Sequence, residues 1–180
     1  MKILGYILLG ALAAIAAHLF VIFQAPNVIM NRAMDGASFG ATQINQWRHA
    51  PRATPTPPNA PPETRGIVRP STDLAYSICV FDLSKGPVRL RAAPWDDYVS
   101  LSLYAANSDN FWKQNDRDAG GKAIEIVLAR KGDDTAGAAG IARVESPTAK
   151  GIALIRRLAP DAAAFARAED ARKGDICAPL

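Results

Sequence analysis

The residues able to do chemistry in this chain are few and scattered. Asp109, Asn110, Asp116 and Arg117 flank Phe111-Trp112 in one short stretch. Carboxylate, amide and guanidinium beside an aromatic wall suit a pocket for a sugar or another small polar ligand. The same residues equally suit a turn in which Asn and Asp bond their own backbone and Arg117 pairs locally. Asp73 and Tyr76 stand at the head of an alternating run, so the candidate ligand-binding set is Asp73, Tyr76, Asn110 and Arg117. Asp73 also fits a backbone acceptor at a strand start, and Asp82 a turn-initiating acid. Asp73, Asp82, Asp109 and Asp116 could together offer oxygen to a hard cation, but their spacing matches no calcium loop, so no metal site is assigned. A nucleophile needs a base beside it. His18 lies in an apolar leader and His49, the other of the 2 histidines, precedes a proline run. Neither Cys79 nor any serine therefore has an evident base. No catalytic residue is assigned, and no cofactor is expected.

Cys79 and Cys177 are the 2 cysteines of the chain. In an oxidising compartment they are expected to pair, tying the segment Asp175–Leu180 to an early core strand. Two buried free thiols are the alternative.

The compartment follows from the leader. Ile3 to Phe23 carries no formal charge. Twenty-one helical residues span about 31 Å, close to the ~30 Å hydrocarbon core of a bilayer. A cleaved signal competes, with Ala14-Ile15-Ala16 as a small-residue site. The run His18 to Phe23 stays apolar past that site, which favours an uncleaved transmembrane anchor over residues 1–23, with the inner membrane as its partner through residues 3–23. His18 is expected as a neutral ring near the outer interface. Lys2 and a short amino-terminal tail on the cytoplasmic side place the rest of the chain in a periplasm-like space.

Residues 24–50 are expected to form one or two short juxtamembrane helices, broken at Gly36 and Gly40. Trp47 there serves as an interfacial residue or packs on the domain. Pro51, Pro55, Pro57, Pro58, Pro61 and Pro62 make residues 51–66 an extended, semi-rigid linker. From Ile67 the pattern turns to period two. Leu74, Tyr76, Ile78 and Val80 alternate with their neighbours, as do Val88 and Leu90, then Val99, Leu101 and Leu103, then Ile124, Ile126 and Leu128. Such runs are half-buried strands. Phe111 to Gln114, Ile141 to Glu145 and Gly151 to Arg156 are weaker strand candidates. Asp82-Leu-Ser-Lys-Gly-Pro87 reads as a hairpin turn, with Gly86 at positive φ and Pro87 opening the next strand. Gly132 to Gly140 is a loop without the following Lys-Ser/Thr of a phosphate cradle. Asp161 to Lys173 reads as a helix, with Pro160 at its start and Gly174 capping its end. The fold class is mainly β: a β-sandwich or jelly-roll-like domain over residues 67–180, with one amino-terminal transmembrane helix and a terminal helix at 161–173.

A length of 180 residues allows one ordinary domain and excludes a large α/β barrel enzyme. The net charge of +4 is dispersed and aromatic residues are 7%, so no nucleic-acid partner is expected. A weak attraction to anionic lipid headgroups fits the same charge.

Several stretches carry a resemblance: Val68-Arg-Pro-Ser-Thr-Asp73-Leu-Ala-Tyr76-Ser77, then Asp82 to Pro87, Tyr98-Val-Ser-Leu-Ser-Leu, Asn107 to Phe111 with Asn115-Asp-Arg117, and Ser146-Pro147-Thr148 with Ile155-Arg156-Arg157. Together they resemble the bacterial family of domain of unknown function 1254 (DUF1254). The resemblance implies a jelly-roll-type β-sandwich and carries over no catalytic residue. In many relatives a second β-rich domain, of the kind termed domain of unknown function 1214, follows. Its absence here implies a separate β-rich partner chain. A membrane-anchored module docking such a partner is the leading expectation. A ligand-binding protein or enzyme using the Asp/Tyr/Asn/Arg set is the alternative.

Overall fold

The computed structural model describes residues 2–36, 43–53 and 70–180. The leader forms one helix, α1 (Lys2–Met34), of 33 residues with a mean hydropathy of 2.4 over its most apolar window. It is long and apolar enough to cross a membrane. Pro26 lies inside it and cannot donate to the Ile22 carbonyl. Gly36, at φ 88°, ends it, because only a residue without Cβ takes that conformation freely.

Among the described residues nine strands follow: β1 (Trp47–His49), β2 (Leu74–Asp82), β3 (Val88–Ala92), β4 (Val99–Ala105), β5 (Asn110–Asn115), β6 (Ile124–Ala129), β7 (Ala142–Glu145), β8 (Lys150–Leu158) and β9 (Ile176–Pro179). The helix α2 (Ala162–Arg172) precedes β9. One sheet has the order β1-β2-β8-β4-β5 and the other β7-β6-β3-β9. Every pair is antiparallel except β6 with β7. The inward side chains of both sheets share one core, in which Phe81, Leu90, Leu101, Leu103, Ile126, Leu128 and Ile155 are fully buried. The fold is a two-sheet β-sandwich, mainly β as expected, flanked by the long apolar helix and the terminal helix.

Four details differ from the sequence reading. Residues 24–34 continue α1 rather than forming separate short helices, because Gln24 and Asn27 do not interrupt the helical backbone. The sandwich also starts earlier than residue 67. His49 pairs with Ser77 and Trp47 with Cys79, so β1 is already part of the sheet. The proline run then connects two neighbouring strands of one sheet and does not space the anchor from the domain. Pro55 to Pro62, Gly40 and the motif residue Val68 themselves lie outside the described residues.

The stretch Asp82–Pro87 is likewise not a hairpin. Gly86 has the expected positive φ of 131°, but β2 belongs to the five-stranded sheet and β3 to the four-stranded one. The turn carries the chain over the edge of the core. Last, Gly174 does not cap α2 with positive φ. It is needed because a Cβ there would stand 3.1 Å from Ala93 Cβ. Asp161 caps the other end of α2, its Oδ1 accepting from Ala164 N at 2.7 Å.

Trp47 packs against the core, which settles its two readings in favour of packing. The sandwich has two ends. The anchor end carries the turn 82–87 and the loops 106–109 and 146–149. The far end carries residues 93–98, 116–121 and α2.

Candidate functional site

The strand register disperses the predicted ligand set. Asn110 opens β5 at the anchor end, where its Nδ2 donates to the Leu103 carbonyl at 3.0 Å, beside a register shift in β4. Asp73 lies at the far end, one residue before β2. Its backbone carbonyl accepts from Ala159 N at 2.7 Å, while its side chain, expected to bond backbone at the strand start, accepts instead from Thr72 Oγ1 at 3.2 Å. Tyr76 is held locally, its hydroxyl accepting from Ser71 N at 3.0 Å. Arg117 is exposed in the turn after β5, with no hydrogen-bonded side-chain partner among the described residues. Five strand steps at ~3.3 Å each separate Asn110 from Asn115, roughly 17 Å. Asn110 therefore shares no site with Arg117, and the set of four does not form one pocket.

A different group does gather around Arg117. Asp97, Tyr98, Asn115, Asp116 and Arg117 line an open cavity of about 300 Å³. Tyr98 supplies the aromatic wall expected of Phe111 and Trp112, which instead pack against the core. The polar groups are mostly engaged by the turn itself. Asp97 Oδ1 accepts from Tyr98 N at 2.8 Å, and Asn115 Oδ1 from Asp118 N at 3.0 Å. The turn reading thus accounts for most of this cluster. The four aspartates considered for a cation divide between the two ends, Asp82 and Asp109 at the anchor end and Asp73 and Asp116 at the far end.

The densest polar chemistry is one that the sequence reading missed. Arg157 and Asp175 are both 0% exposed and form a bidentate pair, NH1 to Oδ2 at 2.9 Å and NH2 to Oδ1 at 2.6 Å. Arg157 NH2 also donates to the Ala93 carbonyl, and Asp175 Oδ1 accepts from Ala93 N. These contacts join β8 of one sheet to the ends of β3 and β9 of the other. Nearby, Arg172 of α2 donates to the Tyr76 carbonyl at 2.8 Å, pairs with Glu169 and lies over the Phe165 ring. Burial pushes its guanidinium pKa down, and Glu169 opposes that shift. Arg157 Nε and Arg172 Nε are buried without partners among the described residues. A signal for this clamp existed. Extending the strand Gly151–Arg156 by two residues puts Arg157 on the same face as Ala153 and Ile155.

His49 also acquires a partner that the sequence reading denied it. The β1–β2 pairing brings its Nδ1 to 2.8 Å from Ser77 Oγ. Burial, then the charge of Arg172, holds the imidazole below its usual pKa, against the pull of Asp175 and Glu169. Ser77 is 0% exposed, so no substrate reaches its hydroxyl. Burial, rather than distance from a base, removes nucleophilic chemistry here.

The cysteines pair as expected. Cys79 on β2 and Cys177 on β9 are bonded with Cα atoms 6.6 Å apart, across 98 residues of chain. The bridge is a covalent tie between the two sheets, beside the noncovalent Arg157–Asp175 clamp.

The model of the family described as "Protein of unknown function (DUF1254)" matches residues 45–179. The match starts two residues before β1, in line with β1 being part of the domain. The chain belongs to the DUF1254 family. Among solved structures, this DUF1254 chain is similar to the VPA0106 protein of Vibrio parahaemolyticus, at 13% identity and a TM-score of 0.60, over 89% of this chain and 38% of that one. It thus spans well under half of that protein's length. An uncharacterised protein from Burkholderia cenocepacia matches at 10% identity and a TM-score of 0.44, over 66% of this chain and 32% of the other. No curated protein matches the sequence.

Proposed function

We propose that this DUF1254 chain is a single-pass module of the bacterial inner membrane, with its sandwich in the periplasm, that docks a separate β-rich chain. The observation that carries this reading is the free outer edge of β5. That strand pairs with β4 on one side and stands last in its sheet among the described residues, leaving backbone donors and acceptors open along it short of Asn115, whose N–H and carbonyl the following turn engages. Such an edge accepts a strand from another chain. Further support comes from the VPA0106 protein, in which a fold of this kind shares its chain with much additional sequence. The Cys79–Cys177 bridge supports export, because structural disulfides persist in oxidising compartments.

Full-length protein extracted in mild detergent is expected to elute with a second, β-rich chain at fixed stoichiometry, joined to it by amine cross-links from the exposed Lys113 of β5. Elution as a lone monomer overturns the docking reading. An alkaline-phosphatase fusion after Leu180 is expected to be active, and an inactive fusion overturns the orientation.

A further inference from the structure

The sandwich is seated on its helix without a spacer. Met30 packs on Ile78, Val80 and Ile152, with Ala33, Met34, Tyr104 and Leu154 around them. Ser108 Oγ donates to the Pro26 carbonyl at 2.9 Å. Pro26 lies three residues past Phe23, about 5 Å along a helix. The anchor end of the sandwich therefore stands within one turn of the apolar run.

The segment of α1 that carries the sandwich also keeps an apolar outer side, with Val28 and Ile29 exposed by 49% and 47%. Arg32 is the first charged residue after Lys2, so the uncharged stretch 3–31 has 29 residues. As helix it measures about 44 Å, which matches a bilayer core plus its headgroup layers at ~40–45 Å. Met30 and its contacts on the sheet then lie at headgroup depth.

The anchor end has the chemistry for that position. Ile44 is 48% exposed there. Lys85, in the turn 82–87, and Lys131, just after β6, are exposed and have no partner among the described residues. Most acids at this end are engaged: Asp82 with Lys150 and Ser84 N, Asp133 with Arg130, Asp134 with Ala136 N, Asp109 with Asn107, and Glu145 with Arg143, while Asp35 just past α1 is exposed. At the far end both signs are mixed, Asp73, Asp96, Asp97, Asp116, Asp118, Asp161, Glu169 and Asp170 standing with Arg52, Arg117, Lys122, Arg167, Arg172 and Lys173.

We propose that the anchor end, around Ile44, Lys85, Ser108 and Lys131, is a lipid-contact surface seated in an anionic phospholipid headgroup layer. This rests on α1 being a membrane anchor. Lysines near such a surface are drawn by its negative potential, and engaged carboxylates add little repulsion. The far end then faces away from the membrane.

Amide hydrogen exchange on the full-length protein tests the seat. Phosphatidylcholine/phosphatidylglycerol nanodiscs are compared with neutral detergent micelles. Exchange at 84–86, 107–109 and 131 is expected to slow in nanodiscs, while 95–98 and 116–121 stay unchanged. Lys85→Glu with Lys131→Glu is expected to lose the slowing at 84–86 and 131. Persistence of the slowing in that variant overturns the role of anionic lipid. Equal exchange in both media, with α1 still resisting carbonate extraction from membranes, overturns the seat and leaves the anchor standing. Release of the protein by carbonate overturns the anchor, and the seat with it.

Discussion

Arg157 and Asp175 illustrate how a buried charge pair holds two sheets in register. Each is sealed from water, and each satisfies the other together with both backbone groups of Ala93. Removing one partner leaves an isolated buried charge, whose penalty is far larger than the net worth of the pair. Asp175→Ala is therefore expected to destabilise by about 3–5 kcal/mol, read as a lower urea midpoint. Arg157→Met with Asp175→Leu is expected to recover most of that loss, and failure to do so assigns the clamp a structural role beyond charge pairing. His49 makes a pH-dependent contribution. Its folded pKa lies below the ordinary 6.5, because burial and Arg172 favour the neutral ring. The stability this implies is fully present above pH 6.5 and is lost as pH falls below it toward the folded value. Thermal melts are expected to show a falling Tm between roughly pH 7 and pH 5, and His49→Gln to flatten that step. An unchanged profile in the variant sinks the assignment. None of this was legible from spacing alone, since His49 and Ser77 stand 28 residues apart and meet only through strand pairing.

Among the elements, β8 is the hub, paired to β2 on one side and β4 on the other. Gly151, near its start, shows how tightly it is packed. A Cβ there would overlap the Tyr104 carbonyl and stand 2.5 Å from the Phe81 ring carbon Cζ. Neither a backbone oxygen nor a fully buried ring can withdraw without moving a strand. Gly151→Ala is expected to cost at least about 1–3 kcal/mol, and a calorimetric Tm equal to that of the parent refutes the close approach. The period-two runs for β2, β3, β4 and β6 were readable because each strand buries one face in the common core. The weaker β5, β7 and β8 candidates also fell on real strands. β9 had no such signal. It is 4 residues long, and Cys177 is its one buried residue. The hairpin reading of Asp82–Pro87 failed for a related reason. Gly86 reports a backbone conformation, but not which sheet receives the strand beyond it.

At the scale of the molecule, the sheet path reassigns the proline-rich stretch. With β1 and β2 adjacent in one sheet, the chain leaves β1 and enters β2 at the far end, and the sandwich is held against α1 by Met30 and its neighbours. Two ties then cross the core between the sheets. The bridge between Cys79 and Cys177 closes a loop of 98 residues, for which chain-entropy arguments give a stabilisation near ~4.7 kcal/mol. The buried salt bridge lies toward the far end of the same sheets. The molecule thus has one end held against α1 and a far end fixed by the clamp, with β5 last in its sheet among the described residues.

The sequence alone determined the kinds of element and their order: an uncharged helix of bilayer length, strands with alternating burial, and a short alanine-rich helix behind Asp161. These are readable because hydrophobic period and capping act over a few residues. Only the tertiary structure decided which strands share a sheet, that Arg157 finds Asp175, that His49 finds Ser77, and that Asn110 and Arg117 lie apart. Those outcomes depend on register between segments distant in the chain, and a period of two carries no information about which neighbour a strand will choose.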